Sequence, residues 1–205
     1  MCKLIVAEHI SLDGVIQSPG APKEDPSGDF RIGGWTVPYA DKAIGQAVQD
    51  LLSLPFELLL GRRTYDIWAP YWPRVQAGHA IADLFNSVPK HVATHRSDKL
   101  DWKNSHALKG DLADAIRALK HQDRANLLTW GSGDMVRQLL AAGLVDELRL
   151  LIYPVVLGRG KRLFGDNAQG AAFTLVHSTS TPGGVLITRY VRSGEVRTGI
   201  FEEVE

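Results

Sequence analysis

Apolar residues in this chain fall into short unbroken blocks closed by glycine, proline or clustered charge. Between the blocks they recur every three to four positions. The blocks predict strands and the recurrence predicts amphipathic helices. "KLIVAEHI" (3–10) is a first strand, broken at "SLDG" (11–14). In "ADKAIGQAVQDLLSL" (40–54) the apolar positions 44, 47, 48, 51 and 52 mark a helix, with Asp41 near its start as a cap. "FELLLG" (56–61) predicts a strand, and "RRTYDIWAPYW" opens a short helix ended by Pro70. A helix near 79–87 and a strand at "KHVATHR" (90–96) follow. Next come a helix over 111–120, a strand over 125–131, a helix over 132–143 stopped by Gly143, and a strand over 146–158. "AFTLVHSTST" (172–181) and "GVLITRYVR" (184–192) predict an antiparallel pair turning at Pro182-Gly183.

Strand and helix alternate until that final hairpin. The order predicts an α/β fold with a mostly parallel central sheet, helices on both faces and an antiparallel C-terminal hairpin. No repeat or linker divides the 205 residues, so one domain over 1–205 is expected. One segment fits no period: "QSPGAPKEDPSGDFRIGGWTVP" (17–38). Irregular stretches of this length are binding loops, lids or disordered insertions. Phe30, Trp35 and the neighbouring Tyr39 argue against disorder, which is poor in aromatic residues.

Composition removes several function classes. Lys plus Arg and Asp plus Glu are 23 each, so there is no basic footprint for nucleic acid and any anion site must be local. Cys2 is the single cysteine, and the seven histidines are dispersed, so neither a disulfide nor a metal site is expected. No run approaches the roughly 18 apolar residues of a membrane span, and the N-terminal block is too short for a signal peptide. A cytoplasmic protein with no membrane partner is the expectation.

In a parallel α/β sheet, ligands bind beyond the carboxyl ends of the strands. Here those ends carry "SLDG", "GRRT", "THRS" and "GSGD". In "WGSGDMV" (130–136), Gly131 and Gly133 bracket Ser132 between strand and helix, which lets backbone amides approach a phosphate. The dinucleotide fingerprint is incomplete, because Val136 stands at the third glycine position. Arg62 and Arg63 sit where a helix dipole disfavours cations, and a bound phosphate reverses that sign. Thr94, His95, Arg96 and Ser97 form a second donor cluster. Two arginine-bearing ends beside a Gly-Ser-Gly turn point to an extended ligand with several phosphates. Arg159, Lys161 and Arg162 in "GRGKRLF" (158–164) either grip a substrate phosphate or form a solvated basic turn.

"SLDGVI" (11–16), "LLLGRRTYDIW" (58–68), "WGSGDMVRQLL" (130–140) and "GLVDELRLLIYPVVLGRGKRLF" (143–164), in this order, resemble the dihydrofolate reductase-like fold family. The resemblance is to its branch around the reductase domain of bacterial riboflavin biosynthesis, and it runs along nearly the whole chain. It implies a three-layer α/β fold and NADPH as cofactor. It places Arg62 near the adenosine 2′-phosphate, Arg63 at the pyrophosphate and Thr64 near the nicotinamide-side ribose. Gly61 belongs to the same strand end, Thr94 and Arg96 lie around the adenosine phosphate, and Gly131, Ser132 and Gly133 form the pyrophosphate turn. On the substrate side, Asp13 is a candidate for ribose binding or proton transfer, or a turn aspartate before Gly14. "WTVPYAD" (35–41) echoes the acid-bearing segment of folate reductases, with its aspartate displaced by one residue, so Asp41 is either an acid or a helix cap. Trp35 and Tyr39 are candidate walls of the substrate pocket.

The function expected is thus an NADPH-dependent reductase of a small heterocyclic molecule, resembling 5-amino-6-(5-phosphoribosylamino)uracil reductase. The alternatives are a non-catalytic NADP(H)-binding module and a dihydrofolate- or pterin-type reductase. The apolar strand "LRLLIYPVVL" and the terminal hairpin suggest a homodimer.

Overall fold

The computed structural model describes residues 2–165 and 169–200. Eight strands form one sheet in the order β4-β3-β2-β5-β1-β6-β8-β7. They are β1 (Leu4–Ser11), β2 (Phe56–Gly61), β3 (Lys90–Ala93), β4 (Ser105–Ala107), β5 (Asn126–Trp130), β6 (Glu147–Tyr153), β7 (Ala172–Ser180) and β8 (Leu186–Gly194). From β4 through β6 every neighbour pairs parallel, and β8 and β7 add the antiparallel edge. The helices are α1 (Lys42–Leu52), α2 (Arg62–Trp68), α3 (Ala80–Ser87), α4 (Leu112–Lys120) and α5 (Gly133–Ala141). None is long and apolar enough to cross a membrane, among the described residues.

Period-two geometry sends neighbouring strand residues to opposite faces, and here both faces are covered. Leu4, Val6, Leu59 and Leu127 meet Ile116 of α4 and Met135, Val136 and Leu139 of α5. Ile5, Leu58, Leu60 and Leu128 meet Leu51 and Leu52 of α1, Tyr65 of α2 and Phe85 of α3. That two-sided burial is why β2 reads as an unbroken run of leucines. β4 was not expected from the sequence. Its Ser-His-Ala has no apolar run, and it exists because β3 offers it a parallel edge, Lys90 opposite Ser105 and Val92 opposite Ala107.

The irregular 17–38 segment is an ordered part of the fold. Phe30 and Trp35 are buried in a third cluster with Ile44, Leu151, Tyr153 and Val185, and the Trp35 indole donates to the Gln17 carbonyl at 2.8 Å. The backbone of Gly33 passes so close to Ala21 that a Cβ there would lie 2.6 Å from the Ala21 carbonyl oxygen. No side chain fits that crossing.

Leu59 is fully buried on the α4/α5 face of the strand that delivers residues 61–64. Leu59→Ala is expected to cost about 2–5 kcal/mol in urea unfolding. The exposed Leu54→Ala should stay within about 0.5 kcal/mol.

Candidate active-site cleft

A cleft of about 1290 Å³ opens along the carboxyl edge of the sheet. Residues 61–64 after β2, Thr94 after β3 and residues 131–133 after β5 line it, together with Glu8 and His9 of β1 and the 16–25 stretch of the irregular segment. Most of the phosphate-site residues expected from the sequence therefore share one cavity. Arg96, Asp13, Trp35, Tyr39 and Asp41 lie outside that lining.

The ends of β2 and β5 are locked to each other. Ser132 has a left-handed backbone (φ 59°), its amide donates to Thr64 Oγ1 at 3.0 Å, and its own Oγ accepts from the Gly61 amide at 2.9 Å. The hydroxyls of Thr64 and Ser132 are 3.1 Å apart. Gly131 is also left-handed (φ 69°), and a Cβ there would sit 3.0 Å from Thr64 Oγ1. Ser132 and Thr64 thus shape the turn with their side chains. What they present to the cleft is the backbone leading into α5, where helix amides favour an anion.

The arginines are already partnered. Arg62 donates to Asp66 at 2.8 Å and to Asp98 at 3.0 Å, and Arg96 pairs with the same two aspartates. This four-residue group sums to zero charge. Arg63 makes a forked contact with Asp25, at 2.9 and 3.1 Å, and Lys161 reaches the same carboxylate at 2.6 Å. Burial alone would push the Asp25 carboxyl up; Arg63, Lys161 and Ser27 outweigh it and hold the group well below the usual carboxylate range. Gln17 and Ser18 bond the Asp25 carbonyl at 2.9 Å each, so the 17–27 stretch is pinned over the cleft by one ion triad. Lys161 is therefore a tether of this segment. Arg162 instead donates to the Asp13 carbonyl at 2.8 Å.

Asp13 and Asp41, each open to a reading as an acid or as a structural aspartate, are both engaged by backbone amides. Burial would raise Asp13, but the Ser11 hydroxyl and the Leu157 and Gly158 amides, at 2.7, 3.0 and 2.8 Å, bring it to about 2. It is a spent carboxylate that ties the turn after β1 to the chain after β6. Asp41 caps α1, accepting from the Ala43 amide at 2.7 Å. Trp35 and Tyr39 also change role. Both meet Tyr153 edge-on, at 5.3 and 5.8 Å, and so buttress a neighbour of the cleft rather than wall it.

That neighbour holds the side chains the sequence reading passed over. The Tyr153 hydroxyl shares a 2.8 Å hydrogen bond with His9 Nδ1, and His9 stacks on Trp130 at 5.4 Å. Burial lowers His9 to about 4 and raises Tyr153 to about 12, so both are neutral across the physiological range. Glu8 points to the opposite face and is 2% exposed, and its Oε1 has no protein partner. Burial pushes its carboxyl well above the usual range, and the Gly131 amide offsets only part of this. The signal was visible as two polar residues interrupting "LIVAEHI". No cluster that could hold a metal ion occurs among the described residues.

A parallel sheet with an antiparallel C-terminal hairpin, and a cleft across its carboxyl edge, is the dihydrofolate reductase-like α/β class. The chain belongs to the RibD C-terminal domain family, whose match spans residues 2–187. It is 28% identical over 195 residues to the uncharacterized protein YyaP of Bacillus subtilis (strain 168), covering 94% of this chain and 96% of that protein. Its fold is similar to that of a Shewanella sp. PV-4 protein provisionally assigned to riboflavin biosynthesis, with TM-score 0.65, 22% identity and coverage of 94% and 99%. It is also similar to a diaminohydroxyphosphoribosylaminopyrimidine deaminase/5-amino-6-(5-phosphoribosylamino)uracil reductase of Thermotoga maritima. That comparison gives TM-score 0.61 and 13% identity over 94% of this chain and 57% of that one.

Asp25→Asn removes the charge that anchors the 17–27 stretch. Because the Asp25 carboxyl is depressed in the folded protein, its contribution is complete above the unfolded value of about 3.9 and is lost as pH falls below it. Urea unfolding at neutral pH should show a loss of about 1–2 kcal/mol, discounted for the exposed Arg63, and the gap to wild type should close in acid.

Proposed function

We propose that this protein is an NADPH-dependent reductase of a small planar heterocycle. One observation carries the proposal: a single continuous cleft passes Thr94, Arg62, the 131–133 turn and β1 in the order in which those strands lie in the sheet. Its volume exceeds the roughly 300–1,000 Å³ of ordinary ligand pockets, which leaves space for a dinucleotide and a second molecule. The residues fit such a cofactor. Gly131 leaves no space for a side chain at the turn, α5 directs its amides there, and arginines stand at the adenosine end. Family membership and the reductase named in the Thermotoga maritima neighbour support the same chemistry.

A reduced nicotinamide, when bound, supplies the hydride; the chain supplies binding, orientation and exclusion of water. The substrate compartment lies on the α1–α3 face of the sheet. Trp130, Trp68, Trp72 and Phe85 line it, with the neutral His9 as its polar mark. Flat aromatic walls suit a flat ring. The ion triad of Asp25, Arg63 and Lys161 keeps the 17–27 stretch over the opening.

Specificity for a 2′-phosphate has a condition. Arg62 and Arg96 are neutralised by Asp66 and Asp98, so the phosphate must replace a carboxylate. Asp98 is the one that yields. Its side chain is 52% exposed and sits outside any helix or strand, where ion pairs contribute little. In titrations of NADPH against NADH, Arg62→Ala should weaken NADPH at least tenfold and NADH little. Asp98→Ala should tighten NADPH several-fold. Equal losses for both cofactors in Arg62→Ala would remove Arg62 from the 2′-phosphate.

A further inference from the structure

Glu8 is a buried carboxyl in the floor of the cleft without a protein partner for Oε1. Burial disfavours the charged form of such a group and pushes its carboxyl well above the usual range, the Gly131 amide offsetting only part of this. Its terminal torsion is soft and roughly two-fold. A neutral carboxyl offers one donor and one acceptor side by side. A primary carboxamide offers the complementary pair.

The sheet order says what reaches it. Thr94 follows β3, Arg62 follows β2, the glycine turn follows β5, and Glu8 lies in β1, the next strand across. At about 4.8 Å per strand, β3 to β1 spans roughly 14 Å. A dinucleotide with its adenosine at the arginine end and its pyrophosphate at the turn therefore extends its nicotinamide over β1. We propose that Glu8 is a cofactor-binding residue: as the neutral acid it pairs with the carboxamide of the nicotinamide ring, donating through its hydroxyl and accepting through its carbonyl oxygen. The inference rests on the dinucleotide function proposed above.

Binding is then linked to a proton. Ionised Glu8 loses the donor and sets a buried negative charge beside an anionic ligand, so affinity is present below the ionisation of Glu8 and is lost as pH rises through it. Other groups facing this part of the cleft are distinguishable. Glu24, in the irregular segment, is also pushed up by burial, and its charge raises Glu8 further. Asp25 is held low between Arg63 of α2 and Lys161, while α5 contributes Asp134 and Arg137, which pair with each other. His9, on the other face, is neutral throughout.

The test is NADPH titration of wild type, Glu8→Gln and Glu8→Ala between about pH 6 and about pH 9, with thermal melts to confirm folding. Wild-type affinity should fall by about tenfold per pH unit once Glu8 ionises. Glu8→Gln, which keeps a donor and an acceptor but cannot ionise, should bind within about threefold of wild type at neutral pH and lose that alkaline limb. Glu8→Ala should bind about tenfold more weakly at neutral pH. Infrared spectra of the wild type at neutral pH should show a protonated-carboxyl band that is absent from Glu8→Gln and shifts when NADPH is added. Three results overturn the proposal while leaving cofactor use intact: unchanged affinity in Glu8→Ala, an alkaline limb that persists in Glu8→Gln, or no such band. A wild type that binds neither NADPH nor NADH overturns the dinucleotide function itself and the Glu8 pairing with it. If Glu8→Ala does not fold, the comparison of Glu8→Gln with wild type still decides.

Discussion

Burial of the central sheet on both faces sets the terms for everything else in this molecule. With helices on either side, strands β1, β2 and β5 have no wet face, and polar chemistry is driven to their carboxyl ends. There the backbone must turn into helices, and the hydrogen bonds among Gly61, Thr64 and Ser132 hold two of those ends in register. The cleft is what remains between the turns once the core has closed.

Inside it, charge is arranged conservatively. Each of the three strand-end arginines already has a carboxylate partner, Asp66 and Asp98 for Arg62 and Arg96, and Asp25 for Arg63. An unpaired cation near a partly desolvated groove is costly, and the paired form is the lower-energy resting arrangement. Glu8 and His9 stand on opposite faces of the same strand. Burial acts on both with opposite sign, pushing the acid up and the base down.

Much of this was legible in the sequence. Among the described residues, hydrophobic periodicity located every helix longer than one turn and all strands except β4, whose three residues carry no pattern and depend on β3 for an edge. The glycine turn and the arginine-bearing strand ends were found because their residue types are unusual where they stand. The substrate-side aspartates keep two readings each in the sequence, because a short aspartate before a glycine or a helix looks the same whether it caps, ties a turn or donates a proton. For Asp13 and Asp41 the partners decide, and partners 144 residues apart in sequence, as Asp13 and Leu157 are, leave no local trace. Glu8 and His9 were read as strand positions because an apolar run conceals which of its members face a cavity. The Arg62–Asp66 pair, four residues apart on one helix, was readable, but the contribution of Asp98 required the fold.

The Asp25 triad has a consequence for which anions gain entry. The cleft carries its own counterion, tethered by 17–27 and held by Arg63 and Lys161 together with Ser27. A free inorganic anion offers Arg63 little that Asp25 does not, and it has no covalent link to bring it back when it leaves. Only a molecule that also engages the glycine turn, the strand ends and the aromatic compartment gains enough from its remaining contacts to compete. In the reductase proposed above, the resident aspartate would act as an entry threshold, discriminating against small ions by effective concentration rather than by size.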